Sequence, residues 1–155
     1  MRRPVDADTG EIDYDLAIAL DAEDLAEQGL RLLYTEDVAP ALAERGVTPA
    51  SLQEDIDTTT GRYVVEANGV RYQIAGPTID EADSWGNATF ALFDIVNRQL
   101  VEMDFTFYAL NGGNDLFGIF MSPDDAERAR RALPRKTDWP CIVTPEPRWN
   151  GAYHD

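Results

Sequence analysis

Twenty-nine carboxylates, one cysteine and one histidine set the chemical repertoire of this 155-residue chain. A catalytic hydroxyl needs a base within hydrogen-bond reach. The serines Ser51, Ser84 and Ser122 would have to share His154, next to the last residue, and Ser122 before Pro123-Asp124-Asp125 reads as a helix cap. No nucleophilic triad is expected. Cys141 stands alone, which rules out an internal disulfide and a multi-cysteine zinc site. Paired carboxylates can cleave glycosides, and Glu102 with Asp104, or Asp115, sits among aromatics that stack on sugar. With this many acids such pairs also arise by chance, so a small carboxylate-based enzyme stays as the alternative reading. Asn111-Gly112-Gly113-Asn114-Asp115 joins two apolar runs and precedes no helix, so it lacks the dipole that cradles phosphate. Asp13-x-Asp15 and Asp55-x-Asp57 lack the glycine and distal glutamate of a calcium loop. No catalytic residue, metal or cofactor is expected.

What remains is charge. The formal net charge is -16, and residues 4 to 60 hold fifteen acids against Arg31 and Arg45, a local net of -13. Such a field repels nucleic-acid phosphates and anionic lipid, and it speeds encounter with a basic protein. The cations that exist cluster late, as Arg128, Arg130, Arg131, Arg135 and Lys136, where they complement a helix C-terminus. Met1-Arg2-Arg3-Pro4 runs into Val5-Asp6-Ala7-Asp8 instead of an apolar stretch, and no apolar run approaches the roughly 20 residues that span a bilayer. A cytoplasmic protein without membrane or nucleic-acid partners is the expectation.

The elements that must position these groups follow from periodicity. Alternation over residues 12 to 20 predicts a strand. Asp21 can cap a helix over 22 to 34, helical character continues over 38 to 44 past Pro40 to Gly46, and a short helical turn is expected over 49 to 56. Asn68-Gly69 between alternating runs is a type I′ hairpin signal. It pairs Tyr63, Val65 and Ala67 with Ile74, Tyr72 and Val70, and Glu66 with Arg71 on the wet face. Residues 78 to 84 read as an acidic connection, and 88 to 100 as a core-facing helix. A second hairpin, 104 to 110 with 115 to 121 about a Gly-Gly turn, is apolar on both faces and so belongs centrally. A capped helix follows from Ser122 to about 133, and the last segment, 138 to 155, reads as a strand fragment or an extended tail, proline-rich over 141 to 155, packed by Trp139, Ile142 and Trp149. The sum is one acidic α+β domain over 1 to 155: an antiparallel sheet of two hairpins plus an N-terminal strand, with helices packed against it. A chain of this length can bury roughly 70% of its unfolded surface, so it needs no staple.

Three phrases carry a resemblance: Ser84-Trp85-Gly86-Asn87 with the apolar run to 97, Phe107-Tyr108-Ala109-Leu110-Asn111-Gly112-Gly113-Asn114-Asp115-Leu116, and Lys136-Thr137-Asp138-Trp139-Pro140. In general character, over roughly residues 60 to 140, the chain resembles small bacterial immunity proteins, the antidotes to polymorphic or contact-dependent toxins. The resemblance implies a stoichiometric inhibitor that occludes the active site of a cognate toxin. An acidic accessory or adaptor protein is the other non-catalytic reading. Specific contacts are expected at Asp80, Glu81, Asp83 and Trp85, and at Asn111, Asn114 and Asp115, where polar groups adjoin an aromatic or a rigid turn. The acidic segment Asp21, Glu23, Asp24 and Glu27 is the competing patch.

Overall fold

The computed structural model describes residues 3–145. His154 and Trp149, and most of the expected tail, lie outside the described residues. Among the described residues, no helix is long and apolar enough to cross a membrane. The architecture is α+β, but the two hairpins build two three-stranded antiparallel sheets in place of one: β2-β3-β4 and β1-β6-β5.

The N-terminal strand shrinks to β1 (Ile18–Ala19), paired with Gly118 and Phe117. Asp13 explains the loss. Its carboxylate accepts the Asp15 N–H at 3.0 Å and caps a 3-10 turn, Tyr14–Leu16, so local hydrogen bonding outcompetes the ladder. Asp21 then caps α1 (Ala22–Asp24), accepting the N–H of Glu23 at 3.0 Å and of Asp24 at 3.4 Å. A π-turn, Leu25–Gly29, ends at Gly29, whose φ of 112° breaks the helical path. That break orphans the N–H of Leu30, and the Tyr63 hydroxyl accepts it at 2.8 Å. The path resumes as α2 (Leu30–Leu33), a second π-turn Tyr34–Val38 and α3 (Ala39–Glu44). Pro40 has no N–H to give residue 36 and crowds its carbonyl, so the widened turn falls just ahead of it.

The helical turn expected over 49 to 56 is instead β2 (Leu52–Asp57), paired along its length with β3 (Arg62–Ala67). The overlooked signal is local. Asp57 Oδ1 accepts the Thr59 N–H at 2.9 Å and Gly61 takes φ 76°, which closes the turn into β3. β3 and β4 (Val70–Ala75) form the Asn68-Gly69 hairpin, with φ 50° and 79° at the turn. Val65↔Tyr72, Ala67↔Val70 and Glu66↔Arg71 pair as expected, while an irregularity between Tyr63 and Val64 moves Tyr63 opposite Ala75.

α4 runs Glu81–Arg98. The second hairpin is β5 (Thr106–Leu110) with β6 (Phe117–Met121), and its register, Phe107↔Phe120 and Leu110↔Phe117, lies two residues from the one a Gly-Gly turn would set. A 3-10 turn, Gly113–Asp115, takes up the difference, and an even shift leaves each face as predicted. Ser122 caps α5 (Pro123–Ala132), its Oγ accepting the Asp125 N–H at 3.1 Å. One face of β5–β6 joins α4 and the β2-β3-β4 sheet in the main core; the other packs Tyr108, Leu110, Ile119 and Met121 against Val5, Ala126 and Ala129. β6 is the middle strand, and among the described residues β5 gains only a bridge between Ala109 and Cys141 on its outer side.

Candidate functional site

The acidic connection expected over 78 to 84 is largely helix. Asp80 sits at the N-cap of α4, and Glu81 and Asp83 occupy its first turn, where the helix dipole favours negative charge. Gly86 hid this start, since a glycine inside a helix costs about 1 kcal/mol; here it is buried, and tertiary packing overrides propensity. Asp80 and Glu81 are exposed and Asp83 is half-buried. Trp85 is also half-buried and packs against the main core, with its indole N–H closed off from solvent and without an acceptor among the described residues. It is part scaffold, part surface.

The hairpin tip splits its predicted residues between two flanks. Asn114 projects toward α1 and donates from Nδ2 to Asp21 Oδ1 at 3.1 Å and to Glu23 Oε1 at 3.2 Å. Asn111, at φ 60°, shares a hydrogen bond with the Tyr14 phenol and lies with Asp115 beside Arg135 and Asp138 in a shallow polar depression. Arg135 is itself paired with Asp138 at 3.0 Å. The late basic cluster is engaged in the same way: Arg131 pairs with Glu127, and Arg130 donates to the Pro140 carbonyl at 3.0 Å.

On the α1 side the predicted and competing patches become one. Glu23 and Glu27 lie one turn apart, α4 brings Glu81 against them, and one carboxylate oxygen from each falls within 4.8 Å of the others. Partial desolvation, a hydrogen-bond contact with Glu81, and the charges of Glu23, Glu81 and Asp24 push the Glu27 carboxyl above its ordinary range. Asp21, Glu23, Glu27, Glu81 and Asn114 thus form a continuous acidic face drawn from three remote parts of the chain. The sequence did carry a trace of it, because Glu23 and Glu27 are a like-charge i,i+4 pair that an isolated helix disfavours. Carboxylates this close suit a hard cation, or a guanidinium or ammonium that bridges them.

Of the carboxylates weighed for catalysis, Asp115 lies apart from Glu102 and Asp104. Asp104 and Asp115 lie at opposite ends of the β5–β6 hairpin, about 17 Å apart for five residues of strand, which is beyond the separation a glycosidase uses. Glu102 is exposed in the turn before β5. Ser84 donates its hydroxyl proton to the Glu81 carbonyl, and Ser122 is occupied as a cap. Cys141 is half-buried and its thiol is pushed above the usual range by burial, the opposite of nucleophilic activation. Compared with protein-family models, curated proteins and solved structures, the chain matches none.

Proposed function

We propose that this chain is an immunity-type inhibitory binding protein, which neutralises a cognate basic toxin domain in the bacterial cytoplasm by occluding its active site in a stoichiometric complex. One observation carries the reading: Asn114 ties the hairpin tip to Asp21 and Glu23 while Glu81 closes on Glu27, so acids from three segments form a single ordered face. Unpaired carboxylates held close together repel one another, and a partner's arginines or lysines relieve that repulsion on docking. Holding them on packed helices lowers the ordering entropy lost on binding. The net charge of -16 supplies steering over the approach. Long-range charge is screened beyond about 8 to 10 Å at ordinary ionic strength, so affinity requires short-range contacts, and this face supplies them in the proposed complex.

Kinetic binding to the purified product of the gene adjacent to that for this chain tests the reading. Asp24→Lys, at the margin, slows association on the order of tenfold at low salt and flattens its salt dependence. Glu81→Ala, inside the face, speeds dissociation roughly thirtyfold, equivalent to about 2 kcal/mol. Asp115→Ala, on the far flank of the tip, has a smaller effect. The absence of a complex with that product overturns the function, and an unchanged dissociation rate for folded Glu81→Ala moves the interface elsewhere.

A further inference from the structure

Away from the acidic face, a cleft of about 310 Å³ opens where the start of β5 and the end of β6 meet the chain after α3. That volume is at the lower end of the range small-molecule sites use. Its walls are apolar, formed by Leu16, Phe105, Phe120 and Met121, and Phe105 meets Phe120 edge to face at 6.0 Å. One cation enters it. Arg45 directly follows α3, turns its side chain back to donate from Nη1 to the Ala41 carbonyl at 2.9 Å, and lies with its guanidinium carbon 4.4 Å from the Phe120 ring centroid.

Arg45 differs from most of its kind in this protein. Arg3, Arg62, Arg98 and Arg128 each meet a carboxylate at 2.7 to 2.9 Å. Half-buried Arg45 has no such partner among the described residues, although the chain contains 29 acids. A guanidinium carries five N–H donors, and among the described residues a single one is satisfied by the protein. Burial depresses its pKa, which reports that the charge is partly desolvated, while the charge of the adjacent Glu44 opposes the shift. Two acids border the cleft without neutralising Arg45. Asp125 is committed to Arg3 and Arg128, and Asp104 is exposed at the rim. A desolvated, unpaired guanidinium on an aromatic face is costly in the empty protein and strongly favourable once a carboxylate forks onto it.

We infer that this cleft binds a small monocarboxylate with an apolar aryl or alkyl body, its carboxylate on Arg45 and its body against Phe105, Leu16 and Met121. The exposed carboxylate of Asp104 at the rim disfavours a second negative charge on the ligand. This site is separate from the acidic face and stands whether or not a toxin docks there.

Titration of the full chain with benzoate and hexanoate, followed by amide chemical shifts and calorimetry, tests the inference. Saturable binding with shifts at Phe105, Phe120 and Met121 is expected, at least tenfold weaker for benzamide and hexanamide and weaker for phthalate than for benzoate. Arg45→Gln loses tenfold or more in benzoate affinity, and Arg45→Lys, which keeps the charge without the fork, falls between. Absence of saturation, equal affinity for acid and amide, or unchanged benzoate affinity in Arg45→Gln would each overturn it. Should Arg45→Gln fail to fold, the acid-to-amide ratio on the native protein decides the matter.

Discussion

In the β2-β3-β4 sheet one face is packed while the other carries Glu66, Arg71 and Gln73 to water; β5 and β6 are covered on both faces. The difference decides what sets each register. A sheet with one wet face is pinned by its hydrophobic alternation together with its turn, and Asn68-Gly69 at φ 50° and 79° supplies the second of these. Where both faces are apolar, alternation carries no such information, and packing must do the pinning. Gly118 is that device. A Cβ there would overlap the Phe107 ring, which is stacked at 4.8 Å on Phe93 and tilted at 4.5 Å against Phe120 and so cannot move aside.

The largest effect follows from that contact. Gly118→Val should destabilise by about 3 kcal/mol or more, because the overlap sits in a close-packed aromatic stack with no room to relax. Urea unfolding of the variant checks it, and a loss below 1 kcal/mol would mean that packing does not pin β6. Gly69→Val is the counterpart in the one-sided sheet. Nothing lies within 4 Å of a Cβ there, so only the left-handed backbone is penalised, at about 1 kcal/mol. Equal midpoints for this variant and wild type would remove the turn from the account, and a loss as large as that of Gly118→Val would erase the contrast between the sheets.

The smallest effect concerns the acidic face and has a defined sign. The Glu27 pKa is raised above its reference of 4.5, so the folded protein binds this proton more tightly than the unfolded chain. Stability from this group is present below the unfolded value and is lost as pH rises through the folded one. Glu27→Gln should therefore be more stable than wild type at neutral pH, with the gap closing as pH falls through that window. Asp57, whose pKa is lowered by the N–H groups of Thr59 and Thr60, contributes in the opposite sense, losing stability as pH falls through its folded value. Thermal midpoints over pH 3 to 8 separate the two, and identical pH profiles for wild type and Glu27→Gln would show that the carboxylates do not interact.

Much of this was legible in the chain because it is local. The Asn68-Gly69 turn, the caps Asp21 and Ser122 and the two apolar faces of β5–β6 each depend on a few consecutive residues, whose hydrogen bonds and allowed φ values do not wait for the rest of the fold. Net charge is a property of composition alone. Tertiary structure decided the rest. It extended α4 back to Glu81 because Gly86 could be buried, and placed the hairpins in separate sheets. It also brought Asp21, Glu23, Glu27, Glu81 and Asn114 onto one face and left Arg45, among the described residues, without a carboxylate partner in an apolar cleft. Both are contacts between residues far apart in sequence, and their energies depend on the distance and dielectric that only the folded chain creates.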